Sequence, residues 1–91
     1  MKSYLAINSP LRSPSADELD GHLAFLAALE QSDQLLLSGP FLGGGGAYVF
    51  RAESRTVAED LIGRDPFKST GQSGYTVHEW AVDGAGFASA S

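Results

Sequence analysis

Residues 16–32 read ADELDGHLAFLAALEQS, a run with helical periodicity. Leu19, His22, Leu26 and Leu29 recur at the i, i+3, i+7 spacing of one helix face, with Phe25 beside them. Ser15 precedes the run and Glu18 follows it by three, the spacing of a capping box. Asp17, Glu18 and Asp20 load the first turns with negative charge, which the helix dipole favours. The stretch is therefore expected to form an amphipathic helix ending near residues 31–33. Its apolar face carries a titratable ring, His22. Such a ring is either a satisfied core group or part of a site. Gly21, beside it, costs about 1 kcal/mol in a helix interior relative to Ala. It marks either close approach by another backbone or drift on an exposed face.

Outward from this helix the chain alternates between strand and helix signals. Residues 2–7 alternate and are rich in strand formers, with Tyr4 and Ala6 opposite Leu5 and Ile7. Residues 8–14 hold two prolines and two serines and read as a loop. Residues 35–41 form the next expected strand, and Ser38-Gly39-Pro40 near its end implies an edge, a bulge or a terminus. Four glycines at 43–46 make a turn into a strand over 47–52. Thr56 with Glu59 reads as a second capping box, opening a short helix that ends at Gly63. Residues 64–74 read as a loop and 75–82 as the last strand. The order is βαββαβ, an α+β, ferredoxin-like arrangement with both helices on one face of an antiparallel sheet. The other face is left bare. It is expected to carry Tyr48, Phe50 or Trp80 and to be buried against a second copy, giving a homodimer.

The bulk properties exclude several classes. The chain of 91 residues is a single domain, expected over residues 1–83 with a loosely held tail at 84–91. It has no cysteine, so no disulfide, thiolate metal site or cysteine nucleophile. The net charge is −5 and the six basic residues are scattered, so nucleic acid is not an expected partner. No apolar run approaches the ~18 residues that span a bilayer, and no signal peptide is evident. A soluble cytoplasmic protein without membrane contact is expected.

Asp65-Pro66-Phe67 follows the second helix and suggests a His–Asp pair assembled by folding. A neutral imidazole needs one nitrogen held by an acceptor if the other is to take a proton, and a carboxylate is a common holder. Asp65 would orient His22 as general acid/base. The alternative is that Asp65 caps its own turn and the pair only satisfies buried polar groups. Phe67 either packs or walls an apolar pocket. Ser38 either offers a hydroxyl at a strand end or shapes the turn. Arg12 would bind a substrate anion if it converged with Arg64 or Lys68. The glycine run enters a strand rather than a helix and is not a phosphate loop. His22 and His78 lack paired spacing, so no metal or cofactor is expected.

Taken in order, His22 with Leu23 and Phe25-Leu26, then Ser38-Gly39-Pro40, the glycine hairpin and its strand, Ala58, Asp65-Pro66-Phe67 and Val77 to Trp80 resemble the YciI-like (YCII-related) proteins over nearly the whole chain. The resemblance implies a dimeric α/β-barrel fold, a superfamily that includes small isomerases, monooxygenases and lyases. It also implies a cleft with a His–Asp pair, which maps onto His22 and Asp65, and a small organic molecule as ligand, bordered by Ser38, Gly39, Pro40, Phe67 and Arg12. This chain departs in lacking a basic residue close before the histidine, where Asp17, Glu18 and Asp20 stand and Arg12 is farther away. Two functions follow as expectations. One is isomerase- or lyase-type proton transfer without redox cofactor or metal. The other is a non-catalytic dimeric ligand-binding or structural module.

Overall fold

The computed structural model describes residues 1–82. The expected domain limit at residue 83 and the expected tail over 84–91 lie outside the described residues. The elements are β1 (Lys2–Pro10), α1 (Ala16–Gln31), β2 (Leu35–Pro40), β3 (Gly46–Ala52), α2 (Arg55–Ile62), α3 (Pro66–Ser69) and β4 (Ser73–Glu79). The sheet runs β2-β3-β1-β4 and every neighbouring pair is antiparallel. This is the ferredoxin-like α+β arrangement, with one short helix added before the last strand.

Local chemistry explains the boundaries. Ser15 caps α1, its hydroxyl accepting from the Glu18 N–H while the Glu18 carboxylate accepts from the Ser15 N–H. That reciprocal pair satisfies two of the donors a helix start leaves open. The cap of α2 is Ser54 rather than Thr56: the Ser54 hydroxyl accepts from the Val57 N–H at 3.2 Å, so the helix begins two residues earlier than the Thr56/Glu59 spacing implies. The segment read as a loop after Gly63 contains α3, with Asp65 as its cap and Pro66 at its first position. Proline suits that position because its missing N–H would have no helical partner there. β1 runs on to Pro10, past the Asn8 where a loop was expected, because β4 pairs with it as far as Ser73. Pro40 ends the edge strand, and β2 also carries an irregularity between Leu35 and Leu37.

The core lies on the helix-covered face. Tyr4 and Ala6 of β1 and Tyr48, Phe50 and Ala52 of β3 pack against Leu29 of α1 and Ala58 and Ile62 of α2. This corrects the expected location of Tyr48 and Phe50: they are 2% and 0% exposed and lie under the helices, not on the bare face. Strand alternation then gives the open face to Leu5, Ile7, Leu37, Val49 and, past the end of β4, Trp80. Leu37 is 56% exposed and Trp80 39% exposed, so this face is apolar and incompletely covered.

Gly21 and Gly45 are among the glycines fixed by close approach. A Cβ on Gly21 would lie 2.7 Å from the Pro66 ring, so the α1–α3 contact passes through this point. The partner is a side chain of α3, not a backbone. Gly45 has φ +76° and rests on the Asn8 carbonyl, where a Cβ would collide.

Candidate active site

The packing of α3 against α1 brings Asp65 to His22 across 43 residues of sequence. His22 Nδ1 lies 2.9 Å from Asp65 Oδ1 and 3.0 Å from Oδ2. Phe67 stacks on the imidazole, with ring centres 4.0 Å apart and planes 6° from parallel. Gly21, one residue before His22, admits Pro66, and Pro66 leads directly into Phe67. The sequence thus builds the pair by letting α3 come down closely on α1.

Asp65 is fully buried, and each group facing its carboxylate can donate. The Phe67 N–H donates to Oδ1 at 3.1 Å, which also caps α3. Tyr48 Oη donates to Oδ2 at 3.1 Å and Tyr75 Oη donates to Oδ2 at 2.5 Å. With these three and the His22 ring, the carboxylate is saturated as an acceptor. Charge-assisted bonds of this kind are the strong ones. The arrangement places the His22 proton on Nδ1, because an acceptor stands opposite. Nε2 has no hydrogen-bond partner among the described residues.

Neither Tyr48 nor Tyr75 was expected at the site: Tyr48 was placed on the bare sheet face and Tyr75 only in the last strand. Burial is the first cause that pushes the Tyr48 phenol far above the ordinary tyrosine range, reinforced by Tyr75 and Asp65. Burial, then the hydrogen bond to Asp65, does the same to Tyr75. Raised folded-state values have a consequence for stability. In the unfolded chain both phenols ionise near pH 10, while in the fold they remain protonated. Their contribution is present below about pH 10 and is lost as pH rises beyond it. Urea unfolding between pH 8 and 11 should show this loss, with a shallower fall in Tyr75→Phe. An unchanged slope in that variant would contradict the assignment.

His22 lines a cleft of about 520 Å³ between α1, the facing ends of β2 and β3, and the end of β1. Leu19, Leu23 and Leu26 form its α1 wall; Ser38, Gly39 and Pro40 form the β2 wall. Phe67, Tyr48, Asn8 and Gln72 also border it. The size falls within the ordinary range for small-molecule sites. His22, Ser38, Gly39, Pro40 and Phe67 are therefore brought together, with Asp65 buried behind the histidine.

Arg12 is placed differently. Its guanidinium binds Glu18 through two contacts of 2.7 Å and does not line the cleft. Arg64 and Lys68 do not line it either. Among the described residues no group of three His, Cys, Asp or Glu side chains is placed to hold a metal ion. No described helix is long and apolar enough to cross a membrane.

The sequence profile of the YCII-related domain matches residues 4–81. The uncharacterized protein YjpA of Bacillus subtilis (strain 168) is 33% identical over 83 residues, covering 90% of this chain and 98% of YjpA. Among solved structures, the 5-chloro-2-hydroxyhydroquinone dehydrochlorinase TftG of Burkholderia phenoliruptrix AC1100, in complex with 2,5-dihydroxybenzoquinone, superposes with a TM-score of 0.71. That superposition covers 86% of this chain and 92% of TftG at 23% identity, a likeness of fold.

Proposed function

This chain belongs to the YCII-related domain family, and on that premise we propose that it is a small-molecule enzyme in which His22 is the general acid/base and Asp65 its orienting partner. The observation that carries this reading is the split environment of the imidazole. One nitrogen is held by a buried, saturated carboxylate, and the other has no partner among the described residues in a ring that borders an apolar cleft. Such a ring can accept a proton at Nε2 and return it, while Asp65 balances the imidazolium that forms. Isomerisation and elimination need little more than this. Ser38, Gly39, Pro40 and Phe67 would border the substrate. The fold neighbour bears the name of a dehydrochlorinase, which removes the elements of HCl, and such a step also calls for a base.

The test is turnover. The purified protein is offered 5-chloro-2-hydroxyhydroquinone and related small molecules able to lose HX or to isomerise, with chloride release and product formation followed. Turnover that depends on His22 supports the reading. No turnover across the panel favours a ligand-binding module with a structural His–Asp pair.

The open sheet face supports a second copy as partner, in the cytoplasm expected for a chain without cysteine. Leu37 and Trp80 are exposed on it beside the half-buried Leu5 and Ile7, and exposed apolar patches of that kind commonly mark interfaces. Sedimentation should give twice the mass of the chain, falling to one chain in Leu37→Glu. A monomer at micromolar concentration would contradict the dimer.

A further inference from the structure

The charges around the cleft carry the account further than the choice of base. Among the described residues, no Arg, Lys, Asp or Glu lines it. The His22–Asp65 pair sets a carboxylate directly against the imidazole, so any positive charge on the ring is offset where it forms. The whole chain carries −5, which adds a weak repulsion toward anions.

Arg12 sits in a segment whose flanking residues border the cleft, and its guanidinium is held away by Glu18. Pro10 and Pro14 both border the cleft, and Arg12 lies between them. Its carbonyl accepts from the Gln72 amide, and Gln72 also borders the cleft. The guanidinium is nevertheless clamped by Glu18 in a two-point contact, Nη1 to Oε1 and Nη2 to Oε2. The Thr70 hydroxyl and the Ser15 N–H hold Glu18 in turn. The first of these partners, Arg12, together with the Ser15 N–H and Thr70, keeps the Glu18 carboxyl far below the usual carboxylate range. The clamp therefore stays charged at neutral pH.

We propose that the cleft selects uncharged small molecules, and that Glu18 is a specificity-determining residue because it withdraws Arg12 from the cleft. This rests on the reading of the cleft as a substrate site. An anion entering here meets an apolar wall and an imidazole already set against a carboxylate, with no cation to offset its desolvation. An uncharged ring with hydroxyl groups gives up apolar surface to Leu19, Leu23 and Leu26 and can reach His22 Nε2 through a hydroxyl.

The test uses two probes that differ by one charge: resorcinol, and 3,5-dihydroxybenzoate, which is the same ring with a carboxylate. Amide chemical shifts of cleft residues in the full chain are followed at neutral pH. Resorcinol should shift the resonances of His22, Ser38 and Gly39, with 3,5-dihydroxybenzoate at least about tenfold weaker, a difference of about 1.4 kcal/mol. Glu18→Gln should narrow that gap severalfold by freeing Arg12, and the gap should reopen in Glu18→Gln with Arg12→Gln. Glu18 also caps α1, so Leu23→Arg serves as a second route: Leu23 is 55% exposed on the α1 wall, and a cation there should admit the carboxylate probe.

Equal or tighter binding of 3,5-dihydroxybenzoate by the unaltered protein would overturn the proposal. So would a gap unmoved by both Glu18→Gln and Leu23→Arg, or a cleft that resorcinol leaves unshifted. Binding is read apart from turnover. Selective binding of resorcinol with no turnover on any substrate sinks the enzyme reading and leaves the selectivity standing. His22-dependent turnover of a carboxylate substrate does the reverse.

Discussion

Replacing His22 with Asn should reduce turnover by about 10²–10⁴-fold, the usual share of a positioned general base. The choice of Asn matters. Its amide sets an N–H close to where Nδ1 stands, so a donor toward Asp65 is retained. It has no basic nitrogen to offer the cleft. The stacking on Phe67 is lost, so a modest destabilisation of about 1 kcal/mol is expected as well. Kinetics on the best substrate from the elimination and isomerisation panel, beside urea unfolding of the same preparation, separates the two effects. A variant that folds and keeps its rate would show that His22 is not the base. A variant that mainly unfolds would point to a structural histidine.

Asp65→Ala should have the largest effect on stability. The substitution strands the His22 Nδ1–H, the Tyr48 and Tyr75 hydroxyls and the Phe67 N–H around a buried void. Removing one partner of a buried charged network typically costs about 3–5 kcal/mol, because the remaining polar groups lose water without regaining a partner. α3 also loses its cap, commonly about 1 kcal/mol. For a domain of this size each kcal/mol moves the melting temperature by about 4–8 °C, so a fall of well over ~10 °C is expected. Asp65→Asn keeps the shape and one acceptor oxygen and should cost less. A loss below about 1 kcal/mol in Asp65→Ala would mean that the network is not formed in solution.

How much of this was legible in the sequence varies by element. The start of α1 was, because Ser15 and Glu18 form both halves of a local box. The His22 face was too, since helical spacing fixes which residues share a side. Asp65-Pro66-Phe67 was legible as the start of a turn and as a partner for the histidine, and the same carboxylate also serves as the cap of α3. The side of the sheet taken by Tyr48 and Phe50 was not legible. Alternation puts them on one face together, but Val49, Leu5 and Ile7 make the opposite face apolar as well, so pattern alone cannot choose between them. Once Tyr48 is placed inside, its hydroxyl needs a partner, and that requirement is the signal that could have linked Tyr48 and Tyr75 to Asp65. The Arg12–Glu18 clamp spans a proline-containing loop and has no periodic signature. The short α3 was hidden because four residues carry no helical period.

If His22 is the base, Asp65 fixes its proton on Nδ1 and leaves Nε2 to act. Nitrogen-15 NMR of the imidazole at a pH where the ring is neutral tests it most directly, since protonated and unprotonated ring nitrogens resonate far apart. A protonated Nδ1 and a bare Nε2 are expected in the unaltered protein, with a mixture of tautomers in Asp65→Asn. A proton on Nε2 in the unaltered protein would contradict it.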